Sequence, residues 1–161
     1  MNEYGIADGV VQKLLIATLS SKDQFAVEED GTVVFSQRVN NSLVKVAIHL
    51  RAAGKGFHLA SKMLDVPAEN RAVCGEYLHR LNKLLAEEGE ALGAFMLDFE
   101  GGAMTYESTY DGFAGISSHV VKGYVEDGVH QLCRFGNLLQ ASSFGENAEE
   151  LIFRSVACLT L

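Results

Sequence analysis

Five histidines, three cysteines and 21 carboxylates are the groups in this 161-residue chain able to ligate a metal, attack a carbonyl or carry a proton. Two histidines come first. If Ala52-Ala53-Gly54-Lys55 forms a hairpin turn, His49 falls opposite His58 on the outward face of two neighbouring strands. Imidazoles at cross-strand distance can share a metal ion, but a third ligand is needed and no spacing supplies one. The plainer reading is a solvated or interface pair. His119 and His130 fall on one predicted helix, about 16 Å apart along its axis at ~1.5 Å per residue, too far to chelate one ion. His79 falls on the polar side of another helix. Cys74, Cys133 and Cys158 are an odd count with no C-x-x-C, so neither a disulfide framework nor a thiolate zinc site is supported. All three fall in predicted helices at core or groove positions, and none adjoins a histidine that would activate it.

No serine elbow, H-E-x-x-H, Walker loop or strand-following G-x-G-x-x-G occurs. Gly101-Gly102, Gly112 and Gly115 read as turn glycines, and Glu87-Glu88-Glu90 lacks the alternating ligands and central glycine of a calcium loop. The chain is expected to be no enzyme and to hold no cofactor and no metal. One electrostatic feature remains. The register that faces His49 with His58 also sets Lys45 opposite Lys62, with Arg38 and Arg51 nearby. Like charges directly across a sheet destabilise it unless something neutralises them. That face is either a solvated surface of flexible lysines or a contact for an acidic surface, such as a second subunit's acidic half.

These registers follow from hydrophobic parity. Phe25 and Val27 precede Glu29-Asp30-Gly31, and Val33 and Phe35 follow. A three-residue loop with Gly31 left-handed faces Val27 with Val33 and Phe25 with Phe35, whereas a two- or four-residue loop splits those pairs between faces. A turn at Asn40-Asn41 sets Phe35 against Val46 and Val33 against Ile48, because asparagine tolerates positive φ. The turn at 52–55 sets Leu50 against Phe57, Ile48 against Leu59 and Val44 against Met63. A further hairpin is expected at Gly101-Gly102, with Phe99 against Met104, Leu97 against Tyr106 and Phe95 against Ser108.

Helices frame these strands. One is expected from Asp8 to Ser20, with Val11, Leu14, Leu15, Thr18 and Leu19 on one side. The single proline, Pro67, opens another that buries Val73, Tyr77, Leu81, Leu84 and Leu85 and closes at Gly89. Ser117 or Ser118 caps a third, whose stripe is Val121, Val125, Leu132, Phe135 and Leu139. A last short helix starts near Ser143 or Glu146 and buries Leu151, Ile152, Val156 and Leu159. The order is α-ββββ-α-ββ-α-α, an α+β fold with an antiparallel sheet and one domain over residues 1–161.

Composition limits the partners. Residues 1–83 carry 9 acids against 10 bases, and residues 84–161 carry 12 against 3, summing to the net charge of −8. A nucleic-acid ligand wants a basic face, and this chain has pI ≈ 5.0. The hydrophobic fraction of 48% exceeds that of a disordered chain, yet no run approaches the ~20 apolar residues of a membrane helix. Met1-Asn2-Glu3-Tyr4 lacks the basic flank of a secretory signal, so a cytoplasmic protein is expected, with no membrane and no nucleic-acid partner.

Residues 78–109 carry a recognisable pattern. Leu81-Asn82, then Gly93-Ala94-Phe95-Met96-Leu97-Asp98, a glycine turn and Met104-Thr105-Tyr106-Glu107 resemble the L-N…G-x-F-x-L-D…G-x-x-x-Y pattern of the YbjN-like family and the related class I type III secretion chaperones. Asn147-Ala148-Glu149-Glu150-Leu151-Ile152 resembles their S-P-E-E-A-I ending without its proline. The resemblance implies a type III secretion chaperone-like fold and a dimeric protein with no cofactor. It also implies a non-catalytic, chaperone-like role in binding a polypeptide segment, or a regulatory, sensory-transduction role with a small ligand. A homodimer is expected on two further grounds: the charge halves are complementary, and Val120, Val121, Tyr124, Val125, Leu132, Phe135, Leu138 and Leu139 make an apolar arc wider than one sheet face covers. The candidate partner or dimer contacts are Val120, Tyr124, Leu138, Lys45, Lys62, His49 and His58.

Overall fold

A computed structural model describes residues 25–50, 56–111 and 116–159. Alternation of β-branched and aromatic residues with polar ones produces the strands, and glycine or asparagine at positive φ turns them. Strands β1 (Phe25–Val27) and β2 (Val33–Val39) meet with Phe25 opposite Phe35 and Val27 opposite Val33. Gly31, at φ 88°, supplies the left-handed residue of the three-residue loop, and Asp30 Oδ1 accepts from Thr32 N–H at 2.9 Å. Asn40, at φ 55°, turns the chain into β3 (Ser42–Leu50). Strand β4 (Gly56–Asp65) follows, with Leu50 opposite Phe57 and Ile48 opposite Leu59. The turn over 51–55 lies outside the described residues, as does the helix expected over Asp8–Ser20. The described chain begins on strands: ββββ-α-ββ-α-α.

The hairpin of β5 (Gly93–Leu97) and β6 (Ala103–Asp111) corrects one expectation. Leu97 faces Met104 and Phe95 faces Tyr106, two residues from the expected pairing. The glycine pair does not set the turn, because Asp98 ends the strand before it. Its N–H donates to Ala103 O at 2.9 Å, its carbonyl accepts from Gly102 N–H at 2.7 Å, and its carboxylate accepts from Glu100 N–H at 3.0 Å. A shift of two preserves parity, so Phe95, Met104 and Tyr106 all face the core. Strand β6 also pairs with β4, giving a six-stranded antiparallel sheet in the order β1-β2-β3-β4-β6-β5.

Three helices complete the described residues. Pro67 precedes a 3-10 turn (Ala68–Asn70) that leads into α1 (Arg71–Glu88), closed by Gly89 at φ 77° with its N–H on Leu85 O. Its buried stripe is Cys74, Tyr77, Leu78, Leu81 and Leu85, with the expected Val73 and Leu84 only half-buried. Ser117 Oγ accepts from Val120 N–H to start α2 (Ser118–Ser143). Ser143 does not begin the last helix, because its hydroxyl donates back to Gln140 O at 2.6 Å. Instead α3 (Ala148–Leu159) starts after Asn147, whose side chain accepts from Glu150 N–H at 3.1 Å.

The core lies between the sheet's inner face and α2. Tyr124 meets Phe57 edge-on at 5.2 Å, and Phe135 meets Phe95 at 6.2 Å. Helix α3 packs on α1 and α2 rather than on the sheet, tied by Tyr77 Oη to Ser155 Oγ at 2.7 Å. This layering changes the fate of the α2 arc. Most of it is buried inside the monomer, sheet on one side and α1 and α3 on the other, so Leu138 is 5% exposed and is a core residue rather than a surface contact.

Candidate functional site

The outer face of the sheet and the β5 edge hold the chemistry. Registry places His49 opposite His58 and Lys45 opposite Lys62, as expected. The two imidazoles nevertheless turn apart. His58 Nε2 lies 2.8 Å from Glu107 Oε1 and its Nδ1 lies 2.9 Å from Thr109 Oγ1, both on β6. Thr105 Oγ1 donates to the other Glu107 oxygen at 2.6 Å. His49 Nδ1 turns toward β2, 2.9 Å from Thr32 Oγ1 and 3.8 Å from Asp30. Hydrogen bonds from Thr32, backbone before side chain, hold the Asp30 carboxyl below its ordinary value, and the nearby His49 adds to them. Each ring therefore has its own partners, and the described residues contain no group of three metal-ligating side chains. Lys62 reaches Asp65 at 3.0 Å.

Beyond His58 and Glu107 the face falls into a cleft of about 490 Å³ that wraps the β5 edge. Leu85, Ala86, Ala91, Leu92, Ala94 and Met96 make its apolar lining. Leu92 and Met96, 46% and 49% exposed, both border this one cleft. His58, Glu107, Thr109 and Ser108 supply the polar groups, and the buried Ser108 hydroxyl has no hydrogen-bond partner among the described residues.

The strand beneath the cleft is closed at its edge. An edge strand exposes unpaired N–H and C=O groups to any passing chain. Here Asn82, from α1, occupies those of Phe95 at the middle of β5: its Oδ1 accepts from Phe95 N–H and its Nδ2 donates to Phe95 O, each at 2.8 Å. Gly93 N–H donates to Tyr106 Oη at 2.9 Å, and that hydroxyl donates to Asp127 Oδ2 at 2.5 Å. Burial, and then the adjacent Asp127 carboxylate, raise the Tyr106 phenol above its ordinary range, so it remains a donor. The residues of the L-N…G-x-F-x-L-D…Y pattern thus have structural duties. Asn82 and Tyr106 seal the edge, Phe95 fills the core and Asp98 stops the strand. Gly93 leaves room for the Glu107 backbone behind it.

The remaining candidates lie elsewhere. Val120 and Tyr124 are half-buried on α2, with Tyr124 against Phe57 and Tyr110. Burial raises the Tyr124 phenol. Cys74 is buried and Cys133 exposed, while Cys158 lines a separate cavity with His130, Cys133 and Arg134. Sequence reasoning did not reach Glu107, Asn82, Leu92 or Met96 as site residues. The first two act across long sequence separations, and exposure of the last two depends on how α1 ends. Among the described residues no helix is long and apolar enough to cross a membrane.

No protein-family model matches the chain, and no curated protein matches its sequence. Solved structures do share its architecture. A chain of the ExsC–ExsE complex superposes with a TM-score of 0.61 at 15% sequence identity, over 82% of this chain and 95% of that one. A chain of the HopA1–SchA chaperone–effector complex gives a TM-score of 0.53 at 15% identity, over 80% of this chain and 94% of the other. The likeness is one of fold, which in this chain is a six-stranded antiparallel sheet backed by helices.

Proposed function

We propose that this chain is a non-catalytic, chaperone-like module, a single domain acting as a cytoplasmic homodimer that binds a segment of another polypeptide. The observation that carries the reading is the β5-edge cleft: exposed Leu92 and Met96 over an apolar lining, beside a strand whose backbone is already occupied by Asn82. Such a surface takes side chains rather than an added strand. The likeness to a chain of a chaperone–effector complex supports it, and the L-N…G-x-F pattern supports a relation to YbjN-like proteins.

A panel of uncharged peptides with apolar side chains, read by fluorescence anisotropy, tests the reading. Replacing Met96 by glutamate removes a contact of roughly 1.5 kcal/mol or more, so binding weakens at least about tenfold. Equal affinity for wild type and Met96→Glu refutes the cleft. A regulatory domain with a small ligand is the second reading, favoured by the His58–Glu107 pair at the cleft mouth. Native mass spectrometry of the purified protein separates the two: a retained small molecule supports the second, a retained peptide the first. The same measurement reads the subunit count.

A further inference from the structure

A lysine row and a histidine row cross the outer face of the sheet. Registry builds the rows: Ser36, Lys45 and Lys62 stand across β2, β3 and β4, then Val34, Ala47 and Ala60, then His49 and His58. Arg38 and Leu43 form a further row beyond the lysines, and Leu43 is 64% exposed. The acids nearby each have a contact of their own. Glu107 is held by His58 and Thr105, Asp30 by Thr32, and Asp65 by Lys62. Lys45, directly across from Lys62, makes no ion pair among the described residues. Asp65 already answers Lys62, which leaves Lys45 and the neighbouring Arg38 as the cations that an opposite charge from outside would meet.

The rows also make a shape. Lysine and histidine rows are four residues apart along the strand, about 13 Å at ~3.3 Å per residue. Between them lie Val34, Ala47 and Ala60, half-buried and apolar. An α-helix with its side chains is about 10–12 Å across. Ala26 on β1 extends the floor past Val34, and Glu107, opposite Ala60, closes it at β6. From β1 to β4 is three strand spacings, about 14 Å at ~4.8 Å each. That length seats roughly ten residues of helix at ~1.5 Å per residue.

We infer that this face receives an acidic amphipathic helical segment of a partner polypeptide, with apolar side chains over Val34, Ala47 and Ala60 and carboxylates toward Lys45, Lys62 and Arg38. The inference rests on the polypeptide-binding reading above and names the chemistry of the partner. A nucleic acid would satisfy the lysines but has no apolar stripe for the floor, and it would meet a chain of net charge −8.

The probe is a fluorescent synthetic peptide patterned as an amphipathic helix with glutamates flanking leucines, alongside its counterpart with lysine at each glutamate. The acidic peptide binds the full chain and the basic one does not. Added salt weakens the complex, and Lys45→Glu/Lys62→Glu weakens it at least about tenfold, with Lys45→Gln/Lys62→Gln between the two. Equal binding of both peptides, or an unaffected double variant that melts like wild type, overturns the inference. So does a DNA oligonucleotide that competes through the same lysines, or loss of a wild-type dimer in the double variant, which assigns the face to a second copy. An uncharged apolar peptide bound equally by wild type and double variant, with the acidic one unbound, keeps the cleft reading and sinks this one.

Discussion

Replacing Asn82 by alanine removes both hydrogen bonds that its amide makes to Phe95, each 2.8 Å long. Each bond is worth about 1 kcal/mol net, because water reclaims part of the loss where it can reach. Asn82 is half-buried on α1, so access is partial, and the expected cost is about 2–3 kcal/mol. For a chain of this size that lowers the melting temperature by roughly 4–12 °C. Packing alone would predict a smaller effect, so Asn82→Asp decides between the causes. Aspartate has the same shape and still accepts from Phe95 N–H, but it sets a second oxygen against the Phe95 carbonyl. It should be no better than alanine. Equilibrium urea unfolding gives both values, with an unchanged m-value showing that the unfolded state is the same. If Asn82→Asp falls within about 0.5 kcal/mol of wild type, the two-bond argument is wrong.

Gly31→Val forces a β-branched residue into φ 88° and should cost on the order of 1–2 kcal/mol, with Gly31→Asn much milder; equal melting temperatures would refute the left-handed assignment. Iodoacetamide should label exposed Cys133 readily and buried Cys74, its thiol raised by burial, only on unfolding; mass spectrometry finding equal rates would contradict the packing of α1. Arg134 donates to both Glu88 oxygens, joining α2 to α1, and hydrogen bonding holds that carboxyl below its ordinary 4.5. The pair's contribution is therefore present above pH 4.5 and lost as pH falls through the lower folded value, so the stability gap between wild type and Arg134→Gln closes on acidification; a gap constant from pH 6 to about pH 2 would exclude the linkage.

Parity made the first three strand pairings legible, because the alternation around Gly31, Asn40 and residues 52–55 admits one register each. Gly101-Gly102 misled for a physical reason: a glycine pair mimics a two-residue turn, while the Asp98 side chain had already claimed the turn amides. Pairing of His49 with His58 followed from the same parity, but the direction of each ring did not. The His58 ring depends on Glu107 and Thr109, on a strand brought alongside β4 from far along the chain, and the His49 ring on Thr32 after the first hairpin loop. The breadth of the α2 arc is legible in the sequence, but the burial of Leu138 is not, since nothing local announces that α3 will pack on α2.

The Asn82 amide is, in effect, a strand one residue long. In the vocabulary of polymer chemistry, a sheet with two bare edges is a bifunctional monomer and adds copies without limit, whereas a sheet with one edge already reacted is monofunctional. Here the β5 end is the reacted one. Any copy that joined through the opposite edge would bring its own sealed end to the outside, and addition would stop at a pair. A protein that keeps Leu92 and Met96 bare for other chains has, in one side chain of α1, a terminator against growing on itself.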